Sequence, residues 1–374
     1  MDEINGFPVR IPLTRPLLPD KNDLFSLESE AFSRGILTNG GPLHDRLEAA
    51  LSERFGCEAV LTSSGTAALL LGLLALLPGK AGGEVVTSAF TFAATIQAVE
   101  RAGFTPVLAD VDPETLCLSP ESANAALNER TVALLPVHVF GRLCDVSAFE
   151  ALSRRHGLPL LYDGAHAFDC EQGGRSALRF GNGTALSFHA TKLFHTVEGG
   201  AVIFPSNSPA KKRAALLRNF GLSGDAPVLP GWNGKLSELH AAMGLCVLPL
   251  VEEERAKRRA LAARYDRAFS GCDGLSPFFA PNGQYYILRV RPPFSRDAVF
   301  FRLRRKGVAA RRYFYPAACD YPAYRWRFAR FDCPNARQAA RECLALPLFG
   351  SLLPEEVDEI SAVVLSCRPA AIYT

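Results

Sequence analysis

The sequence predicts an α/β layered fold with a mostly parallel central sheet and a smaller α+β unit at its C-terminal end. Three observations predict it. Strand and helix signals alternate through the first part of the chain. The strands are continuous apolar runs, as strands covered on both faces by helices are. Beyond about Leu245 the texture changes to a long charged helix and shorter strands. The expected division is a large unit over 1–245 and a small one over 246–374.

Each element has a local reason. The first forty residues read as turns and short apolar pieces, and Thr38-Asn39-Gly40-Gly41-Pro42 is a loop because Asn-Gly and Gly-Pro are turn chemistry. Leu43, Leu47, Ala50 and Leu51 then recur at helical spacing. Ala59-Val60-Leu61 is a short strand, Ser63-Ser64-Gly65-Thr66 a tight turn, and a helix follows from Ala67. Glu84 to Thr87 is a strand and Ala93 to Ala102 a helix. Pro106 to Ala109 is a strand ended by Asp110-Val111-Asp112-Pro113. Val132 to Val137 is a strand and Val146 to His156 a helix. Leu158 to Tyr162 is a strand closed by Asp163-Gly164, with Pro159 at its entrance, where a missing backbone donor is tolerated. In the C-terminal part, Val251 to Arg259 opens a charged helix, most simply a solvated face. Tyr285 to Val290 is a strand, and Ala298 to Lys306 and Pro354 to Ser366 are helices.

Composition narrows the function. The chain has 374 residues, 48% of them hydrophobic, which suffices for a large core without staples and excludes a mostly disordered chain. Its 41 Lys+Arg against 38 Asp+Glu leave +3, so there is no basic excess to expect nucleic acid from. The longest apolar run, Ala67 to Leu77, is broken at Pro78 and is too short to span a bilayer, so no membrane partner is expected. The start, MDEINGFPVRIPLTRP, has no apolar core after a basic stretch, which predicts a cytoplasmic protein. Ten cysteines form no C-x-x-C pair. They read as small buried hydrophobes, and no metal site is expected.

Three features near predicted strand ends carry chemistry. Thr62-Ser63-Ser64-Gly65-Thr66-Ala67 lies between a strand and a helix, where free backbone N–H groups and the helix dipole bind phosphate. A plain Ser/Thr helix cap has the same pattern. Asp163 ends a buried strand and needs a partner, either a following helix cap or a bound cationic ring nitrogen. Within Ser187 to Gly200, Lys192 sits among apolar and hydroxyl residues. Desolvation there makes a lysine amine nucleophilic, although a surface-reaching lysine is the simpler reading. An anion cup, a strand-end acid and an activated lysine, in that order, are the parts that pyridoxal 5′-phosphate demands.

These residues sit in stretches that resemble the DegT/StrS family of pyridoxal-phosphate sugar aminotransferases. The likeness is carried by Gly35 to Pro42, Ser64 to Ala68, Phe90 to Thr95, Asp163 to Ala167, Ser187 to Gly200, Gly231 to Ala242 and Arg312 to Pro316. It implies a type I, aspartate aminotransferase-like fold. It implies that Lys192 holds the cofactor as a Schiff base and moves protons. Asp163 would keep the pyridine nitrogen protonated and Phe92 would stack on the ring. Gly65, Thr66 and Ser187 would hold the phosphate, and His166 would stand near the phenolic oxygen, where many relatives have Gln. Gly164 stands where many relatives have Ala. The resemblance also implies a homodimer in which Asn233 reaches the neighbouring subunit's phosphate, with Thr38, Asn39, Tyr313 and Tyr315 as sugar contacts. The implied reaction moves an amino group from glutamate, through pyridoxamine 5′-phosphate, to a nucleotide-linked 4-keto-6-deoxyhexose. The product would be dTDP-4-amino-4,6-dideoxyglucose. Amination at C3 and a non-catalytic member of the fold are the alternatives.

Overall fold

The computed structural model describes residues 3–4 and 7–369. The extreme ends of both expected units, and part of the N-terminal stretch read for targeting, lie outside the described residues. The central sheet is built from β1 (Glu58–Thr62), β2 (Glu84–Ser88), β3 (Thr105–Ala109), β4 (Thr131–Leu135), β5 (Leu161–Asp163), β6 (Gly183–Ser187) and β7 (Gly200–Phe204). Bridges at Leu134–Leu160 and Val137–Asp163 join its two parts, so the strand order is β1-β7-β6-β5-β4-β2-β3. All pairs are parallel except those of β7, which runs antiparallel to both β6 and β1. The cause is local. β6 and β7 are joined by residues 188–199, which form no helix to carry the chain across the sheet, and the chain folds back beside β6. That loop carries Lys192.

The mostly parallel sheet expected from the sequence is therefore present, but β6 and β7 were not read as strands. The Gly, Thr, Ala and Ser content of β6 gives a weak strand signal that burial on both faces makes up for, whereas β7 ends on Val202-Ile203-Phe204, an ordinary strand run. A second difference concerns the first forty residues, which contain α1 (Lys21–Arg34). Its ends follow ordinary capping rules: the Asp20 carboxylate accepts from Asn22 N–H at 2.7 Å, and Gly35 adopts the left-handed conformation at φ 67°.

Helices cover both faces of the sheet. They are α2 (Pro42–Phe55), α3 (Gly65–Leu76), α4 (Ala93–Arg101), α5 (Pro120–Ala125), α6 (Val146–His156), α7 (Pro209–Leu217) and α8 (Glu238–Val247). The apolar run read as a buried helix is α3, which packs between the strands β6 and β7 and the helices α4 and α7. Being covered on several sides, it needs no polar face. Among the described residues no helix is long and apolar enough to cross a membrane. Of the ten cysteines, seven are buried and three partly buried, all unpaired.

The C-terminal part has an antiparallel sheet of β8 (Leu275–Phe279), β9 (Tyr286–Val290) and β10 (Cys343–Leu346). Against it lie α9 (Val251–Phe269), α10 (Arg296–Arg305) and α11 (Pro354–Leu365). The N-terminal residue Ile11 belongs to this core and bridges in parallel to Val308, so the chain start runs back onto the C-terminal part. The turn Asn282–Tyr285, which precedes β9, reaches across to the large sheet and shapes the site described next.

Candidate active site

At the carboxyl ends of the parallel strands lies a cavity of about 370 Å³. Such strand ends are where ligands collect in α/β sheets, because the loops there are free to differ. Eight of the sequence-predicted residues line the cavity: Gly65, Thr66, Phe92, Asp163, His166, Ser187, Lys192 and Tyr313.

The anion end comes from the β1–α3 turn. Ser64 caps α3 by accepting from Ala67 N–H at 3.1 Å. The N–H groups of Gly65 and Thr66 then belong to the first turn, which the helix's own ladder cannot satisfy. Gly65 is required by close approach, since a Cβ there would fall 2.7 Å from the Ser187 Cβ at the end of β6. The cap and the strand end thus meet to form one cup.

The floor holds the acid. Asp163 is 5% exposed. Its carboxylate accepts from Thr95 Oγ1 at 2.7 Å and from Ala165 N–H at 3.1 Å, and Thr95 is braced by Thr91 at 2.7 Å. Burial pushes its pKa up, while the Thr95 and Ala165 hydrogen bonds and the Lys192 charge pull it down. Asp163 forms no ion pair among the described residues. A buried carboxylate that is hydrogen-bonded but forms no ion pair suits a cationic ring nitrogen.

The nucleophile is held on two sides. Burial holds the Lys192 amine below its ordinary pKa, and the positive Arg311 pushes the same way. Its Nζ lies 3.3 Å from the hydroxyl of Tyr285, whose own pKa burial pushes up to about 12. Gln284, 3% exposed, clamps the backbone on either side of the lysine. Its Oε1 accepts from Leu193 N–H at 2.6 Å and its Nε2 donates to Thr191 O at 3.2 Å. Asn282 does the same for the neighbouring loop, donating to His166 O and Phe168 O, both at 2.8 Å. One turn of the C-terminal part therefore fixes both functional loops of the large sheet.

His166 accepts from Phe140 N–H through Nδ1 at 3.1 Å, which leaves Nε2 carrying the proton. Burial, and then the Lys192 charge, hold its pKa well below the ordinary histidine value, so it is a neutral donor. Phe92, at the N-terminus of α4, is half exposed, so one ring face is free to meet a planar ligand.

Four predicted residues stand apart from this cavity. Thr38 and Asn39 are exposed on the loop before α2. Glu238 holds both ends of that loop: its N–H donates to Leu37 O at 3.0 Å, and its carboxylate accepts from Leu43 and His44 N–H in the first turn of α2 at 2.9 and 2.8 Å. Asn233 is exposed and bridged to Asn219, although the next residue, Gly234, accepts from Ser63 N–H beside the cup. Tyr315 lines an adjoining cavity of about 580 Å³ that shares Thr191, Tyr285, Arg311 and Tyr313 with the first.

Sequence reasoning missed Thr95, Asn282, Gln284, Tyr285 and Arg311. Thr95 and Arg311 lie in or beside the quoted stretches, and Tyr285 begins a predicted strand, but nothing local assigns them to the site. Together the cup, the acid without a cation and the desolvated amine fit pyridoxal phosphate.

Comparison with known proteins places this arrangement. The model of the DegT/DnrJ/EryC1/StrS aminotransferase family matches residues 20–365. A dTDP-4-amino-4,6-dideoxy-D-glucose transaminase of Shigella dysenteriae is 34% identical over 362 residues, covering 94% of this chain and 97% of its own. DesI, solved in the presence of its TDP-sugar product, superposes with a TM-score of 0.91 at 33% identity, over 97% of this chain and 94% of its own. A Streptococcus pneumoniae protein in its PLP form superposes with a TM-score of 0.86 at 26% identity, over 95% of this chain and 98% of its own.

Proposed function

The chain belongs to the DegT/DnrJ/EryC1/StrS aminotransferase family and uses pyridoxal phosphate, and from that premise we propose that it aminates C4 of a dTDP-linked 4-keto-6-deoxyhexose. The product is dTDP-4-amino-4,6-dideoxyglucose and the donor is glutamate. The Shigella dysenteriae transaminase and DesI support the choice of acceptor. One observation carries the chemistry: a desolvated amine, Lys192, shares a cavity with a buried acid, Asp163, that forms no ion pair among the described residues.

Bound there, pyridoxal phosphate supplies an electron sink and carries the amino group between donor and acceptor. The chain supplies the rest. Gly65, Thr66 and Ser187 hold the phosphate, and Asp163 holds the proton on the ring nitrogen. Phe92 covers one ring face, and His166 donates toward the phenolic oxygen. Lys192, whose amine burial holds below its ordinary pKa, takes a proton from the donor carbon and later returns one to the sugar carbon. Tyr285 keeps the amine aimed while it is free. Thr38, Asn39, Tyr313 and Tyr315 contact the sugar, and Asn233 reaches the phosphate site of a second copy in a cytoplasmic homodimer. The large unit over 1–245 binds the cofactor and the unit over 246–374 closes on it.

Purified protein will carry the cofactor's visible band, and Lys192→Ala will lose both the band and glutamate-dependent turnover. Retention of full turnover in that variant overturns the mechanism. Offered a panel of nucleotide keto sugars with glutamate, the enzyme will return a product whose mass and NMR place the amine at C4; an amine at C3 overturns the regiochemistry. A wild-type protein that shows no half-reaction with glutamate overturns the enzymatic reading itself.

A further inference from the structure

We propose that the seam between the large sheet and the β8–β9 face of the C-terminal part is a second anion site, built to take a phosphate group. It lies apart from the lysine cavity, and it stands whichever donor and sugar the enzyme uses.

The two faces of β9 go different ways, as alternating side chains must. Tyr286, Leu288 and Val290 enter the core of the C-terminal part, whereas Ile287 enters a core shared with the large sheet. Arg289 and Arg291 follow Ile287 at every second position, and all three line a cavity of about 270 Å³. The opposite wall belongs to the large sheet and carries Glu114, on the loop after β3, and Arg142, on the loop after β4. Phe140 stands between this cavity and the lysine cavity: it lines the first, and its N–H donates to His166 of the second at 3.1 Å. The two cavities share no lining residue.

Three guanidiniums therefore face one space, and the acids around them are mostly spent. Arg289, 8% exposed, donates through Nε and Nη2 to Glu342 Oε2 at 3.1 and 2.8 Å. Arg291 donates through Nε to that same oxygen at 3.0 Å, so one carboxylate serves two cations. Its other oxygen accepts from Gln338 at 2.8 Å. Asp112 turns Oδ1 to Glu114 N–H at 3.1 Å and to Thr115 N–H and Oγ1 at 2.7 and 2.9 Å. Arg142 forms no ion pair among the described residues. It lies over the Phe278 ring, 4.0 Å from the centroid, and Nη1 donates to the Glu114 carbonyl oxygen at 2.5 Å, not to its carboxylate. Burial, and the positive charge of Arg289, hold the Arg142 pKa below its ordinary value, so the two walls repel across the seam. An anion between them relieves that repulsion.

Shape selects the anion. A planar carboxylate is matched by the fork of one guanidinium. Here the forks come from two walls. A tetrahedral phosphate presents oxygens to both at once and carries more charge. The space is smaller than pockets that enclose drug-sized ligands, so the phosphate group itself is what it holds.

The test titrates the enzyme loaded with pyridoxal phosphate, so that the cup at Gly65 and Thr66 is already filled. Calorimetry uses inorganic phosphate, methyl phosphate and acetate. Phosphate is expected to bind saturably and acetate far more weakly. Binding of methyl phosphate as well supports the terminal phosphate of an ester as the ligand, and binding of inorganic phosphate alone supports the free ion. Arg142→Gln will weaken phosphate binding by about 10- to 100-fold, the scale of a lost hydrogen bond to a charged group, while the visible cofactor band stays as it is. Arg142→Lys will keep part of the affinity. Glu114→Gln, an exposed change that spares the fold, will tighten binding by about 2- to 5-fold by removing the acid of the lining. No saturable heat in the wild type overturns the site, and so does acetate binding as tightly as phosphate. An affinity lost in Arg304→Gln but kept in Arg142→Gln puts the ion in the cavity beside Tyr315 and overturns it too.

Discussion

Asp163, on the cavity floor, is 5% exposed and accepts two hydrogen bonds, whereas Tyr315, at the rim, is 46% exposed and lies between the guanidiniums of Arg296 and Arg312 at 4.8 and 4.7 Å. Thr38, Asn39 and Asn233 share the exposure of the rim. The floor is finished by one chain: strand ends, the cap of α3 and the turn Asn282–Tyr285 fix each group through buried contacts. The rim presents side chains whose backbone is fixed but whose polar atoms face outward. The difference teaches that the groups proposed to act on the cofactor are fixed in the core, whereas those proposed to contact the sugar or the second copy stand exposed, an arrangement that suits a rigid scaffold carrying adaptable loops.

The comparison breaks first if the floor proves tolerant. Asp163→Asn keeps the Thr95 hydrogen bond but loses the negative charge, and is expected to lower turnover by about 100- to 1000-fold, the scale of one preorganised electrostatic contact. A pH signature accompanies it. Because Asp163 titrates above 3.8 in the fold, the folded cofactor-free protein keeps a proton that the unfolded chain releases. Its contribution to stability therefore falls as pH rises from 3.8 through the raised value, and Asp163→Asn removes that slope. Urea melts of the cofactor-free proteins between pH 4 and 7 read the difference.

Gly164→Ala tests how tightly the floor is packed. A Cβ there would stand 2.4 Å from Thr184 Cγ2 and 3.3 Å from Ala185 O. The cost is expected to be about 1–3 kcal/mol of stability, the range for overpacking a core. Adding Thr184→Ser, which deletes that methyl group, will recover most of it. A neutral Gly164→Ala sinks the claim that this glycine answers Thr184.

Thr38→Ala is the smallest change. On an exposed loop it is expected to shift stability by less than about 0.5 kcal/mol. Any effect belongs in the KM for the nucleotide sugar, with the donor half-reaction unmoved. A stability loss as large as that of Gly164→Ala would erase the distinction between floor and rim.

Much of the floor is legible in the sequence alone. The alternation of strands and helices, the Ser/Thr-Gly turn before α3, Asp163 closing a strand and Lys192 in an apolar stretch are local patterns, and the resemblance assigned them roles. β6 was not legible, because its small and hydroxyl residues lack β-branched density and only burial makes it a strand, whereas the Val202-Ile203-Phe204 run of β7 is a local strand signal that went unread. α1 was missed although Asp20 and Gly35 mark its ends. There the signal existed, and the turn-rich surroundings outweighed it.

What the sequence by itself determined is the layered architecture and the kind of groups the reaction needs, because hydrophobic period, capping and strand-end chemistry are encoded within a few residues. Only the tertiary structure decided that Tyr285 reaches the Lys192 amine across 93 positions, that Gln284 grips its backbone across 91, and that Thr95 orients Asp163 across 68. Such pairings are fixed by how two layers pack. Each side chain looks ordinary in its own neighbourhood, so a partner that far along the chain leaves no local trace.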